Sequence, residues 1–173
     1  TTFEDGEHTV TVTEGNDSEF SVVLDTKPTG DVVLTFESSD DGEATVPADL
    51  ELTFTADNWN NPDDAALLAH TVTVTGVDDD VVDGDTDTTT ITFKVKAGSA
   101  SEYVALTPEG TVGVTVKDIN AVGYTLSGTN YDAETGQVTV TEGNTTTLNV
   151  ALASKPTGNV VLTFGSDDPG EAD

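Results

Sequence analysis

Hydrophobic and polar residues alternate along most of this chain. Seven segments place Val, Ile, Leu or Phe at every second position, with Thr or a charged residue between them, and Gly, Pro, Asn and Asp clusters separate the segments. The segments are residues 8–15, 19–25, 31–38, 50–56, 70–77, 88–97 and 111–118. A period of two predicts strands that bury one face. Seven short strands within about 120 residues predict an all-β fold of the β-sandwich type.

The chain also repeats itself at a fixed offset of 128 residues. Three pairs of segments carry the repeat: "VTVTEGN" at 10–16 and 138–144, "KPTGDVVLTF" at 27–36 and "KPTGNVVLTF" at 155–164, and "SDDGEA" at 39–44 and "DDPGEA" at 167–172. We therefore expect one domain over residues 1–120 and the N-terminal part of a second copy over 121–173. We interpret the incomplete second copy as a sign that the sequence is a segment of a longer tandem array. The alternative is that another chain completes the part-domain.

Charge limits the partners of the chain. It has 33 acidic and 5 basic residues, for a net charge of −28. Phosphate recognition needs Lys and Arg, so nucleic acid is excluded, and docking on anionic lipid is disfavoured. No apolar run approaches the length of a membrane span, so no membrane insertion is expected. Cys is absent, which excludes disulfides, thiolate metal sites and thiol nucleophiles.

The acidic residues are clustered rather than scattered. The stretch "GVDDDVVDGDTD" at 76–87 holds six aspartates. Like charges this close repel one another, so the segment is either a solvated loop or the surround of a cation. A surface adapted to salty water predicts scattered acids, whereas cation binding predicts clusters at chain turns. The clustering favours a cation.

Several segments together resemble a known family. The series "VTVTEGN", "SVVLDTKPTGDVVLTF", "LTFTADNWNNP", "TVTVTGVDDDVVDGD" and "VTVKD" is similar to the Calx-β type of calcium-binding β-sandwich. It is most similar to the tandem forms of large bacterial surface and adhesin-like proteins. The resemblance covers 1–120 and recurs over 138–172. It implies a Greek-key sandwich, Ig-like in character, with Ca²⁺ bound at one end.

The resemblance also implies where the metal ligands lie. They would come from the end of the first strand, the acidic run after "TVTVTGV" and the end of the last strand, with one further acid from "SSDDGEA". The matching residues are Glu14, Asp40, Asp78, Asp79, Asp80, Asp83, Asp85, Asp118 and Asn120, with Glu142 as the counterpart of Glu14 in the second copy. The chain reads "DIN" at 118–120 where the family often has consecutive aspartates, which lowers the ligand charge.

Calcium chemistry agrees with this placement. The ion takes six to eight oxygens at about 2.3–2.6 Å, mostly from carboxylates and carbonyls. One strand cannot supply so many, because its successive side chains point to opposite faces. Acids at the ends of several strands, together with an Asp-rich loop, can do so.

Other motifs give weaker indications. The segment beginning at Asp83 has the first aspartates of an EF-hand loop, but Thr88 stands where Gly is needed and Lys94 where a bidentate Glu is needed. Trp59, the only Trp, is expected to cover an end of the sandwich. His8 and His70 adjoin strands with no second His or Cys nearby, so we expect surface positions for both.

The chain carries no catalytic motif. It has no nucleophile elbow, no His–Ser–Asp grouping and no phosphate loop, and it has too few aromatic residues for a glycosidase cleft. We therefore expect no enzyme activity.

Three functions remain open from the sequence. The first is an extracellular structural or adhesion module, one link of an array that calcium rigidifies, whose partners are neighbouring copies of the repeat or other chains in a filament. The second is a surface-layer or sheath protein whose acids serve hydration in high salt. The third is a module that binds a glycan or another ligand through its loops.

Overall fold

Two β-sheets pack face to face in the first part of the chain. The computed structural model describes residues 8–60, 70–84, 87–104, 110–165 and 170. The larger sheet contains, in order, β1 (Thr9–Thr13), β8 (Gly110–Lys117), β7 (Asp87–Val95), β3 (Val32–Ser38) and β5 (Glu51–Phe54). The smaller sheet contains β2 (Asp17–Ser21), β6 (Thr71–Gly76) and β4 (Ala44–Thr45). The prediction of an all-β sandwich is confirmed.

The alternating pattern places one face of each sheet in the core. Val72 and Val74 of β6 are fully buried, with Thr between them, and β8 buries Val112, Val114 and Val116 in the same way. Leu34, Phe54 and Ile91 complete the facing layer. Burial of this apolar surface, at about 25 cal/mol per Å², is the main favourable contribution to folding. Trp59 is partly buried against this core.

All seven predicted strands are present, with shifted ends. The second one begins two residues early, as β2 at Asp17, and continues past Ser21 through single hydrogen bonds. Val22 N donates to His70 O at 3.0 Å, and Leu24 N donates to Trp59 O at 2.7 Å.

The expected surface position of His70 is wrong. Its side chain is 3% exposed, its ring stacks on Phe54 with centroids 4.0 Å apart, and its Nε2 lies 2.8 Å from Thr53 O. That backbone partner allows the imidazole to be buried. His8 is exposed, as expected.

One short helix was not predicted. Helix α1 (Ser101–Val104) lies between β7 and β8 and holds the "KPTG" turn. Thr29 donates from its backbone N (2.9 Å) and its hydroxyl (2.6 Å) to Glu102 Oε1, which lowers the pKa of Glu102. The Tyr103 hydroxyl lies 2.6 Å from Thr26 Oγ1 and donates to Thr26 O. The helix therefore fixes the link between β2 and β3.

The chain divides into two compact units. The first comprises Thr1–Asp79 and Asp83–Ile119, and the second comprises Asp80–Val82 and Asn120–Asp173. The second unit contains β9 (Tyr124–Gly128), which pairs antiparallel with β12 (Leu148–Leu152). It also contains a short hairpin of β10 (Tyr131–Asp132) and β11 (Gln137–Val138). No helix in the described ranges is both long enough and apolar enough to cross a membrane.

The same repeat residues are buried in one unit and exposed in the other. Val32 is 0% exposed and Leu34 is 3% exposed, whereas their counterparts Val160 and Leu162 are 51% and 42% exposed. In the first unit, β5 and β7 flank the strand that carries Val32 and Leu34. The described residues of the second unit include no counterpart of β5 or β7.

Candidate metal centre

Glu14 lies where β1 ends, and backbone contacts on two sides hold it there. Its N donates to Lys117 O at the end of β8 (3.1 Å), and its carbonyl accepts from Asn16 Nδ2 (3.1 Å). Gly15 then turns the chain with φ +69°, a conformation that favours glycine. The "EG" pair therefore ends the strand and orients Glu14 at the same time.

Gly76 brings the Asp-rich loop against this strand end. It forms a bridge with Glu14, accepts from Gly15 N (3.0 Å) and donates to Asn16 O (2.9 Å). A Cβ at this position would lie 2.7 Å from Thr13 O, so no larger residue fits without a shift of the backbone. The glycine at the end of β6 is required by this close approach.

Asp118 fixes the far side of the loop. Its Oδ2 accepts from the backbone N of Asp83 and from that of Gly84, both at 3.1 Å. The next residue, Ile119, donates its N to Glu14 Oε2 at 3.2 Å. The ends of β1 and β8 and the loop between β6 and β7 therefore meet at one end of the sandwich.

Three carboxylates converge at this end of the sandwich. One carboxylate oxygen from each of Glu14, Asp79 and Asp83 lies within 4.8 Å of the others. Two oxygens bound to the same Ca²⁺ at about 2.3–2.6 Å can be no more than about twice that distance apart. The three residues offer only oxygen ligands, which a hard cation prefers. The donor set and its spacing fit one calcium ion.

Burial and charge act together on Glu14, which is 3% exposed. Burial raises its pKa above the ordinary value of 4.5, and the neighbouring Asp118, Asp83 and Asp78 raise it further. The hydrogen bond from Ile119 N acts in the opposite direction. Without a cation, ionised Glu14 therefore costs stability.

Of the other ligands predicted in the first unit, Asp78 and Asp118 lie near Glu14, whereas Asp40 lies in a separate turn. Asp78 is close enough to act on the charge of Glu14. Asp40 sits in the turn before β4, where its Oδ1 accepts from Gly42 N at 2.9 Å. Neither Asp78, Asp40 nor Asp118 belongs to the group of three among the described residues.

The remaining predicted ligands are outside the first unit or outside the described residues. Asp80 and Asn120 belong to the second unit, where Asp80 O accepts from Lys155 N at 2.7 Å and Asp80 has φ +64°. Glu142 is exposed in a turn followed by Gly143 at φ +76°. Asp85 lies outside the described residues.

Two groups that shape the site were missed by sequence reasoning. Gly76 was placed in the predicted strand at 70–77 and at the start of the acidic stretch, although a glycine within a Val/Thr strand is a signal for close backbone approach. The backbone N of Ile119 has no signal in the sequence, because any residue other than Pro supplies one.

Comparisons with known proteins give a fold likeness only. No family model matches the chain, and no curated protein matches it. Among solved structures, the chain is similar to domains 4 and 5 of the S-layer protein SbsC, with 22% identity and a TM-score of 0.37, over 64% of this chain and 48% of that one. It is also similar to the S-layer protein rSbsC(31-844), with 20% identity and a TM-score of 0.38, over 84% of this chain and 20% of that one. This chain thus spans about half of the first structure and a fifth of the second, and a likeness this low carries no argument about function.

Proposed function

We propose that this chain is a non-enzymatic structural module, one link of a tandem array outside the cell that calcium rigidifies. The proposal rests on one observation, the convergence of Glu14, Asp79 and Asp83 at one end of the sandwich. Asp79 and Asp83 lie in the loop between β6 and β7, and Glu14 comes from the end of β1, far earlier in the sequence, so the fold itself assembles the group.

A cation at this end of the sandwich would offset the free-energy cost of burying the ionised Glu14 carboxylate beside other acids. Glu14 is buried beside other acids, and the net charge of the chain is −28. Bound Ca²⁺ supplies positive charge and links carboxylates from different chain segments. Glu14, Asp79 and Asp83 would hold it, with Asp118 keeping the loop in place through the amides of Asp83 and Gly84.

The affinity expected of such a site supports an extracellular location. Three carboxylates supply fewer ligands than a dedicated 12-residue loop and should make a weaker site. Calcium modules outside the cell typically bind with Kd values of 10⁻⁴–10⁻³ M. The 128-residue repeat and the family resemblance support an adhesin extender or a matrix filament, with neighbouring repeats as the immediate partners.

Calorimetric titration of the chain with Ca²⁺ tests the proposal, with Asp79→Asn as the ligand variant. Asp57→Asn is the matched control, because it removes the same charge from an exposed turn outside the group. We expect Asp79→Asn to weaken calcium binding by at least about tenfold, the equivalent of about 1.4 kcal/mol. We expect Asp57→Asn to leave binding nearly unchanged.

Two outcomes would contradict the proposal. No heat of calcium binding at constant ionic strength would leave the acids as a hydrated surface, as in the surface-layer alternative. Equal weakening by Asp79→Asn and Asp57→Asn would mean that calcium is held by the overall charge rather than by this group. Mg²⁺ should bind more weakly, because it demands octahedral geometry and gives up its water reluctantly.

A further inference from the structure

The turn "KPTG" occurs in both copies of the repeat, at 27–30 and at 155–158. The backbone bends on both sides of the Lys–Pro pair in each copy, so the two turns have the same local form. They differ in what they pair with. In the second unit Lys155 forms a parallel bridge with Val81, whereas Lys27 takes part in no bridge among the described residues.

The partner of Lys155 comes from the acidic loop. The second unit consists of Asn120–Asp173 together with the short segment Asp80–Val82. Within this unit, Lys155 N donates to Asp80 O at 2.7 Å. Asp80 has φ +64°, in the left-handed region that residues other than Gly rarely adopt. Such a conformation persists where the surroundings hold it, so the carbonyl of Asp80 is presented to Lys155 in one specific orientation.

The two lysines carry a charge that is rare in this chain. Only five of its residues are basic, and Lys27 and Lys155 are two of them. Both side chains are exposed. The segment that pairs with Lys155 belongs to the stretch 76–87, which holds six aspartates. Opposite charges therefore favour the same pairing that the backbone makes.

Helix α1 holds the "KPTG" turn of the first unit through other atoms. Glu102 accepts from the backbone N and the hydroxyl of Thr29. The Tyr103 hydroxyl bonds to the carbonyl and the hydroxyl of Thr26. None of these atoms is the amide N of Lys27. The helix and a bond from the Lys27 amide to another segment therefore do not compete for the same backbone group.

We propose that the "KPTG" turn of each repeat is a docking site for the acidic loop of the preceding repeat. The loop carbonyl that corresponds to Asp80 O accepts from the amide that corresponds to Lys155 N, and the lysine charge offsets that of the loop. In the first copy the donor is the amide of Lys27, and its partner is the loop of a copy ahead of it. The presence of that copy rests on the array of the proposed function, whereas the pairing itself needs no metal.

Hydrogen exchange of single amides in the full chain tests the pairing, with Lys27 and Lys155 as matched reporters in one molecule. Each rate is compared with the rate of the same amide in the urea-unfolded chain, which corrects for the different residues ahead of the two lysines. In chelator we expect the Lys155 amide to be protected at least about tenfold more than the Lys27 amide.

Two substitutions of Asp80 remove the same charge and differ in backbone preference. Gly adopts φ +64° at no steric cost, whereas the β-branched Val is disfavoured there. We expect Asp80→Gly to keep the protection of the Lys155 amide within about twofold, and Asp80→Val to reduce it to the level of the Lys27 amide. The fluorescence of Trp59, a residue of the first unit, shows whether that unit stays folded in both variants.

A longer chain tests the same pairing at Lys27. It carries an additional copy of residues 1–128 directly ahead of Thr1, so that an acidic loop precedes Lys27 at the spacing that separates Asp80 from Lys155. The Lys27 amide should then be protected to about the same extent as the Lys155 amide. The same extension with Asp80→Val in the added copy should leave the Lys27 amide as it is in the parent chain.

Three results would overturn the proposal. They are equal protection of the Lys27 and Lys155 amides in the parent chain, equal effects of Asp80→Gly and Asp80→Val, and a Lys27 amide that stays unprotected in the longer chain. The last result would mean that a repeat that contains helix α1 does not accept the loop. Because all measurements are made in chelator, they are independent of the calcium titration that tests the proposed function.

Discussion

At the scale of single residues, Glu14 is the most exacting position in the molecule. Its carboxylate is buried next to the acids of a neighbouring loop, yet its backbone and one of its oxygens are held by hydrogen bonds. Burial of a charge is costly unless an opposite charge or several donors compensate it. The residue is therefore a sensitive probe of whether a cation is bound.

We expect Glu14→Gln to change how stability depends on pH. Because the folded-state pKa of Glu14 is raised, the folded chain binds this proton more tightly than the unfolded chain. Without metal, its contribution is therefore most favourable below pH 4.5 and is lost as pH rises through the folded-state pKa. Gln removes this loss, so in chelator at pH 7 the variant should be more stable than the parent, and in calcium less stable. Urea unfolding from pH 4 to pH 8, with and without Ca²⁺, measures both. Equal destabilisation in both conditions would assign Glu14 a structural role only.

Gly76→Ala tests the close approach that shapes the site. Its Cβ would push against Thr13 O at 2.7 Å, and overpacking of this kind costs about 1–3 kcal/mol. We expect this loss of folding stability both in chelator and in calcium. We also expect Gly76→Ala to weaken calcium binding. Gly113→Ala is the control, because its Cβ would meet only ordinary contact with Thr9 Cγ2 at 3.4 Å. If both variants unfold at the same urea concentration as the parent, the approach at Gly76 is not tight.

At the scale of elements, the connections are as specific as the strands. Helix α1 is only four residues long, too short to be stable alone, and it persists because Tyr103 is buried and bonded to Thr26. Its role is to hold the turn between β2 and β3.

Tyr103→Phe should destabilise the first unit by about 1 kcal/mol, the usual net value of one hydrogen bond. The ring still fills its site, so only the hydroxyl contacts with Thr26 are lost. Chemical denaturation followed by Trp59 fluorescence measures the change. Val104→Ala, at an exposed position of the same helix, should have little effect. A larger loss from Val104→Ala would contradict this account of the helix.

Strands were easier to predict than the site. Period two is enforced at every position of a half-buried strand, so the alternation of Val and Thr in β6 and β8 identified both from the sequence. The acidic loop was also evident, but which acids converge depends on the backbone. The approach at Gly76 and the amides bound by Asp118 bring Asp79 and Asp83 to Glu14, while Asp40 is held by its own turn.

At the scale of the whole molecule, the chain leaves the first unit beside the candidate metal centre. Asp118 and Ile119 both bond to parts of that centre, and the second unit begins at Asn120. Under the calcium binding proposed above, loss of the ion should loosen the segment from Asp118 to Gly128, because unscreened carboxylates repel one another.

We expect chymotrypsin to cut this segment, at Tyr124 for example, several-fold faster in chelator than in millimolar Ca²⁺. Cleavage is followed by mass spectrometry, with Mg²⁺ at equal ionic strength as the control. Calcium at one hundred times its Kd should also add about 2.7 kcal/mol of stability per site. Equal cleavage rates in both conditions would limit calcium to sites away from the chain exit.

The pairing of β1 with β8 has a mechanical consequence. The two strands run parallel in register from Thr9 opposite Gly113 to Thr13 opposite Lys117, and they are the first and last strands of the unit among its described residues. Tension applied through the chain pulls β1 from its leading end and β8 from its trailing end. The hydrogen bonds between them are then loaded together in shear instead of being opened one at a time. Force along the polypeptide must break this whole ladder before the sandwich extends.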